Sequence, residues 1–485
     1  MLTKKFNIIL ILLLAFFLRI YRLPELLGFW YDQGRDALVI WDFIHNGKLF
    51  LIGPMMGFTG MFRGPWYYYL LTPFYYLGNG NPLWPSIFLV SVSVYSIYIL
   101  YIVGRKIGGQ TTGIFAAFIT SISAYIIGAS RWLSNPTPML LIGILLIWSI
   151  FAFLEKKKWA LPLIAFLIGM GLNFGAATEV YYIPALLIVF YLNRKILPGF
   201  KTFILSAFTF LFTFAPQFLF ELRHKGVLTG ALYNFVFQEK TFTFNFIEII
   251  KSRFSIYYDI FSSKFWTDGG SLFLPFFILF LIIIITKWKK LWSDKKFQVI
   301  FVFSVAPIIG TLFFVSNLGG FYDYYFTGYY LVFILFFSYV MTLISKSRIG
   351  KFILFSFLSI AVIKNMQSFK FNYTKSLNDP VIIAFKNQEL AIDWIKSDAK
   401  TNPFNVDVYV PPVIPYAYDY LFQWKNLNRE EKETSLLYTL YEADPDHPER
   451  LKAWMDRQAG IGKVLNEVKF GGITVQRRDR ILFSK

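Results

Sequence analysis

Cysteine is absent from the 485 residues, and histidine occurs only as His45, His224 and His447. The first absence excludes disulfides, thiolate-held zinc and thiol catalysis. The second leaves too few imidazoles for a multi-histidine metal site. Charge is scarce too: 16% of residues are Asp, Glu, Lys or Arg, against about a quarter in soluble domains. No phosphate-cradling glycine loop, Walker motif or HExxH stretch occurs, which disfavours an ATP-driven machine or a metalloprotease. Internal repeats and low-complexity segments are missing as well.

What fills the chain is apolar. It is 56% hydrophobic and 21% aromatic, with a mean hydropathy of +0.51. A run such as "LFLPFFILFLIIIIT" (272–286) cannot be an ordinary surface helix, and the chain reads as a polytopic α-helical membrane protein. The net charge of +19 does not require nucleic acid, because Lys and Arg gather in short connections between apolar runs, as positive charge does when it orients membrane helices. The N-terminal "MLTKKFNIILILLLAFFLRIYRLPE" starts like a signal peptide but lacks a small-x-small cleavage site, so an uncleaved first span is expected.

At about 20 apolar residues per span, the sequence suggests about eleven: 5–22, 84–104, 112–130, 136–154, 159–176, 180–193, 202–220, 270–287, 297–316, 326–345 and 352–367. Alternate connections are basic, among them Arg105/Lys106, Lys156–Lys158 and Lys287–Lys296. This places the N-terminus inside and the C-terminus outside. The first outer loop, 23–83, reads as short interfacial helices, because Tyr and Trp favour headgroup depth. A membrane domain over 1–367 is expected to precede a small soluble extracytoplasmic α/β domain over 368–485. In that tail "NDPVIIAFKNQELAIDWIK" and "HPERLKAWMDRQAG" have helical spacing, "FNVDVYVPP" alternates like a strand, and "GGITVQRRDRILF" reads as a strand pair.

Polar residues on the outer side are the site candidates. "FWYDQGRDALVIWDF" (29–43) carries Asp32 and Asp36 four apart, so both share one helix face, flanked by Arg35. Acids also favour a first helical turn in water, and Asp42 is read that way. At membrane depth, however, a carboxylate is costly and usually functional. Trp30, Tyr31 and Trp41 set that depth. A carboxylate there could take a proton from a hydroxyl nucleophile or hold a divalent cation; a metal at Asp32 is one alternative, and no cofactor is demanded.

"MFRGPWYYY" (61–69) offers Arg63, whose planar fork suits phosphate, unless it snorkels at the interface. "GASRWLSNPTP" (128–138) places Arg131 and Asn135 in an outer turn, although Asn before Pro is also ordinary turn chemistry. Glu179 in "GAATEVYYIPA" lies at the outer end of the sixth span. "PQFLFELRHKG" (216–226) reads as a helix-end ion pair. "GGFYDYYFTGYY" (319–330) clusters Tyr322 and Tyr324 around Asp323, as an interfacial belt or the wall of a sugar site.

Over roughly residues 1–370 the pattern resembles the membrane-embedded GT-C glycosyltransferases, specifically glycosyltransferase family 39, which includes the protein O-mannosyltransferases and the lipid A aminoarabinose transferase. The carriers are "YDQGRDA" directly after the first span, "GKLFLIGP...FRGPWYYYLLTPFYYL", "SRWLSNPTP" and "FELRHKG". The resemblance implies sugar transfer from a polyprenyl phosphate to an acceptor glycan, lipid or protein, with inversion, on the outer face of the plasma (inner) membrane. It implies Asp32 as catalytic base, with Gln33 where relatives carry a second acid and Asp36 as a substitute. Asn135 stands near another family acid, which puts metal ligation in doubt.

Charge developing on the lipid phosphate needs cations, for which Arg35, Arg63 and Arg131 are the candidates; Asn135, Glu179, Tyr322, Asp323 and Tyr324 would face sugar or acceptor. Two alternatives remain. A multi-span transporter or flippase would show paired half-repeats, which are not found. A lipid-linked polysaccharide polymerase or ligase would share the donor.

Overall fold

The computed structural model describes residues 2–56, 60–238, 246–267, 270–312, 314, 322–411, 414–427 and 429–481. It opens with α1 (Leu2–Ile20), one turn of helix α2 (Leu23–Leu26), then α3 (Tyr31–Asn46) and α4 (Trp66–Leu77). The expected short helices of the first outer loop are thus α3 and α4.

Helix α5 (Leu83–Ile122) and α6 (Ala124–Arg131) follow. Sequence reading separates two spans here by a loop; the backbone instead folds sharply at Gly109, whose φ is +82°. That left-handed conformation suits glycine. A Cβ on Gly104 would lie 2.9 Å from Gly113 Cα, although nine residues of straight helix would separate them by roughly 13 Å. The two halves of α5 therefore run back along each other. Arg19, fully buried, knots α1 to both halves through Ser93 Oγ and the Thr120 and Ser121 carbonyls.

The bundle continues with α7 (Met139–Leu154), α8 (Ala160–Phe174) and a 3₁₀ turn (Thr178–Tyr181) into α9 (Tyr182–Leu192). Next come α10 (Phe200–Phe212), α11 (Ala215–Arg223), α12 (Val227–Phe237) and α13 (Phe246–Ser262). The last apolar group is α14 (Gly270–Trp292), α15 (Lys295–Gly310), a 3₁₀ stretch (Asp323–Tyr329) with α16 (Tyr330–Thr342), and α17 (Arg348–Tyr373). By length and composition, four helices among the described residues could cross a membrane, or five if α10 and α11, bent by 56°, form one broken span. Shorter apolar helices, at 7–20, 139–154, 160–174 and 178–192, coincide with other expected spans.

Beyond α17 lie α18 (Phe385–Ala399), β1 (Asn405–Tyr409), α19 (Tyr416–Trp424), β2 (Leu436–Glu442), α20 (Pro448–Ala459), β3 (Gly462–Phe470) and β4 (Ile473–Arg480). The sheet order is β1-β2-β4-β3, parallel only between β1 and β2. Sequence reading starts α18 too early. Residues before Phe385 form a turn in which the Ile382 carbonyl accepts from Gly472 N–H, so tertiary contact overrides the Asn-Asp-Pro capping signal. The "GGITVQRRDRILF" stretch is one strand, not two. Its partner is the preceding β3, and Gly471, at φ +59°, makes the turn.

The sheet region packs directly on the segment between α1 and α5. Phe385 N–H donates to the Leu27 carbonyl, and the Phe29 ring touches those of Phe385 and Tyr420. Tyr420 Oη bonds the Gly80 carbonyl, and Trp424 Nε1 donates to the Asn79 carbonyl at 2.8 Å. One continuous apolar core joins helices and sheet.

Candidate active site

The N-terminus of α3 carries the charged cluster. Gln33 accepts from Trp30 N–H and donates through Nε2 to the Leu133 carbonyl at 3.1 Å. The amide thus caps α3 and ties it to the turn after α6. Gln33 stands where the resemblance predicts an acid, and its position explains why an amide suits: one end must accept and the other donate.

Arg35 bridges both acids of this helix. Its Nη1 is 2.8 Å from Asp32 Oδ1, while Nε and Nη2 donate to Asp36 Oδ1 at 2.9 and 2.7 Å. Tyr68, from α4, donates to the same Asp36 oxygen at 3.0 Å. The two acids then differ sharply in access. Asp36 is 5% exposed, whereas the Asp32 side chain is 53% exposed. Burial pushes the Asp36 carboxyl up to about 6, with Arg35 pulling it back down. Arg35, held between two carboxylates, is raised above its ordinary value despite its own burial.

The expectation that Asp36 stands in as a catalytic acid is therefore corrected: it is a buried anchor whose Oδ1 already takes three hydrogen bonds. Arg35 is engaged as well, which makes it a holder of Asp32 rather than a free phosphate ligand. Among the described residues no group of three or more His, Asp or Glu could hold a metal ion. One guanidinium between two carboxylates leaves a net negative charge at Asp32 and Asp36.

Arg63 sits on a small hairpin in which its carbonyl accepts from Gly53 N–H and its own N–H donates to the Pro54 carbonyl. The hairpin lies tight against the bundle: a Cβ on Gly64 would come 2.9 Å from Asn173 Cγ and from Gln217 Oε1. Arg63 is 8% exposed as a residue; its Nη2 donates to the Ala176 carbonyl at 3.4 Å, and Nη1 has no partner. Burial works against its charge, and Glu179 is the foremost opposing influence, followed by Tyr324; Asp32 and Arg35 are also within electrostatic reach.

Glu179 is buried, and neither oxygen completes a hydrogen bond of ordinary geometry. Gly175 and Gly328 make room for it, since a Cβ on Gly328 would stand 2.9 Å from Glu179 Oε1. Tyr324 stacks on the exposed ring of Tyr322 and meets Trp132 edge-on at 5.7 Å. Glu179 and Tyr324 are thus the groups whose charge Arg63 feels most, and Arg35 and Asp32 act on it more weakly. Trp132, in the same neighbourhood, carried no signal beyond sharing a turn with Arg131.

Other candidates fall elsewhere. Arg131, expected as a phosphate ligand, ties α6 to the end of α1, while its Nη2 keeps no hydrogen-bond partner. Its Nη1 donates to the Arg19 and Tyr21 carbonyls, and its guanidinium lies 4.3 Å from the Tyr373 ring centre. Asn135 donates to the Phe174 carbonyl at the end of α8. Asp323 is committed to the fully buried Lys264 at 2.7 Å and to Tyr330 Oη, with Lys264 also over the Tyr125 ring; sequence reading missed that lysine. Residues 319–321 of the tyrosine stretch lie outside the described residues. Glu221 caps α12 by accepting from Leu228 and Thr229 N–H, so its role is structural.

The structure is a set of apolar helices packed against a small sheet, with an accessible acid, Asp32, behind the first helix. Residues 62–220 match the family model described as dolichyl-phosphate-mannose-protein mannosyltransferase. Among solved structures, the chain is similar to ArnT from Cupriavidus metallidurans bound to undecaprenyl phosphate, with 9% identity, 97% of each chain covered and a TM-score of 0.56. It is also similar to the Archaeoglobus fulgidus oligosaccharyltransferase in complex with Zn and sulfate, with 12% identity, 90% of this chain and 68% of that chain covered and a TM-score of 0.52. The archaeal oligosaccharyltransferase AglB from Archaeoglobus fulgidus, in complex with an inhibitory peptide and a dolichol-phosphate, matches at 10% identity over 95% of this chain and 73% of that one, with a TM-score of 0.51. A search among curated proteins gives no match.

Proposed function

We propose that the protein transfers a sugar from a polyprenyl-phosphate donor to an acceptor hydroxyl at the outer membrane face, with inversion of the anomeric centre. One observation carries this reading: Asp32 is an accessible carboxylate held by Arg35 at the start of α3, on a chain whose buried Arg63 guanidinium keeps an unused N–H. The undecaprenyl and dolichol phosphates of ArnT and AglB give this fold a fitting donor.

Asp32 takes the acceptor proton as the hydroxyl oxygen bonds to the anomeric carbon. The bond from that carbon to the phosphate oxygen breaks, and the polyprenyl phosphate leaves carrying the charge that the free Arg63 N–H stabilises. Arg35 positions Asp32. Glu179 accepts from sugar hydroxyls, and Tyr322, Tyr324 and Trp132 wall the ring.

The test is reconstitution in lipid vesicles with a panel of polyprenyl-phosphate sugars. Asp32→Asn should lose transfer by about 10²–10⁴-fold, the weight of a general base, and Arg63→Ala should raise the KM for donor. Near-normal turnover by folded Asp32→Asn overturns the base assignment.

A further inference from the structure

A cavity opens where the end of α3, the turn between α4 and α5, and α19 meet. Trp41, His45, Tyr75, Tyr76, Asn79 and Tyr420 line it, and its volume is about 180 Å³. A cavity of about 150 Å³ already admits a benzene ring, so this one has room for a single six-membered ring. Its walls stand nearly at right angles: the Tyr420 ring meets Trp41 at 82° and Tyr75 at 76°. Contacts outside the cavity hold those rings in place. Tyr420 Oη donates to the Gly80 carbonyl, and His45 stacks on Trp41 with ring centres 3.8 Å apart.

The polar groups at this cavity are neutral. Tyr75 is 2% exposed, and among the described residues its hydroxyl has no hydrogen-bond partner. Asn79 adds an amide that both donates and accepts. His45 Nδ1–H donates to the Trp41 carbonyl at 3.1 Å, which leaves Nε2 of the neutral ring as an acceptor. Among the described residues no Asp, Glu, Lys or Arg lines the cavity, so a charged guest would find no counter-charge. An acyl chain would leave the Tyr75 hydroxyl unpaired, at about 1–3 kcal/mol.

We infer that this cavity is a saccharide subsite, in which a pyranose packs its C–H face on the aromatic walls and hydrogen-bonds Tyr75 and Asn79 through its hydroxyls. Trp41 and His45 follow Asp32 by nine and thirteen residues on α3, which sets the subsite roughly 14–20 Å along the helix from the base. Under the transfer reading, on which this step rests, a ring held that far away belongs to a glycan acceptor longer than one sugar.

The test uses the full-length protein in lipid nanodiscs, free of glycoside detergent, with methyl glycosides of glucose, mannose, galactose and N-acetylglucosamine read by saturation-transfer NMR. At least one glycoside should bind. Tyr75→Phe removes only the unpaired hydroxyl, and Asn79→Gly keeps a backbone φ of +48° that glycine adopts freely. Each variant should melt with wild type and bind roughly three- to tenfold more weakly, as loss of one hydrogen bond does. Binding of no glycoside, undiminished binding by either variant, or displacement of the glycoside by equimolar phosphate or choline overturns the subsite. Weakened binding in both variants, in a protein that turns over no polyprenyl-phosphate sugar, upholds the subsite and overturns the transfer reading. Transfer to a glycan acceptor with an unchanged acceptor KM in both variants upholds the transfer reading and overturns the subsite.

Discussion

Gly34→Ala puts the contact between catalytic helix and sheet region to a direct test. Gly34 lies two residues after Asp32, where α3 meets α19. A Cβ there would stand 2.5 Å from Ala417 Cα, and closer still to the Ala417 nitrogen and the Tyr416 carbonyl carbon. Contact between carbon atoms is comfortable only at about 3.5–4.0 Å, so α3 and α19 must part by about 1 Å. The atoms in the way are backbone, which no rotamer change moves aside. Overpacking of this kind costs about 1–3 kcal/mol. A misplacement near 1 Å can lower turnover by about 10²-fold.

The assay pairs sugar transfer in vesicles with thermal unfolding of purified protein. Gly230→Ala is the control: nothing lies within 4 Å of its added Cβ, and alanine should stabilise that helix by up to about 1 kcal/mol. Gly34→Ala with transfer within threefold of wild type (a difference of about 0.6 kcal/mol) and unchanged melting would refute the claim that α19 sets the position of Asp32.

Glu442 predicts a pH dependence. Burial pushes its carboxyl up to about 7 from an ordinary 4.5, against the hydrogen bond from Tyr418. The folded state thus binds this proton more tightly than the unfolded chain. Its contribution is full below about 4.5 and is lost as pH rises through about 7, on the order of 3 kcal/mol in all. Glu442→Gln should flatten stability between those values, and denaturant melts with the wild-type slope would contradict this. Gln33→Glu, which restores the acid of the family pattern, should destabilise the fold by about 1–3 kcal/mol. A buried carboxylate would face the Leu133 carbonyl where an amide N–H now donates; an equally stable variant would show that the cap matters little.

The apolar runs and the aromatics placing "YDQGRDA" behind the first of them were legible because hydropathy and helical spacing are local properties. So was the convergence of Asp32 and Arg35, one turn apart on one helix. Helical spacing alone could not separate Asp32 from Asp36, which only the resemblance ranked. Both face alike on α3, and only the Tyr68 hydroxyl from α4 and the surrounding burial make one an anchor while the other stays open. Arg131 could not be placed from its residue type, which suits phosphate, because the carbonyls at the end of α1 that accept from its Nη1 lie far off in sequence. Lys264, Trp132 and Glu442 gave no local signal, because their meaning comes from partners far away in the chain.

By itself the sequence determined a membrane-embedded chain of apolar helices and a short acidic stretch worth suspecting, since transfer from water and helical periodicity act over a few residues at a time. Only the tertiary structure decided which acid is accessible, that Arg63 is buried with an unused N–H, and that α19 closes over α3. Burial, ion pairing and close backbone approach depend on segments brought together across hundreds of residues.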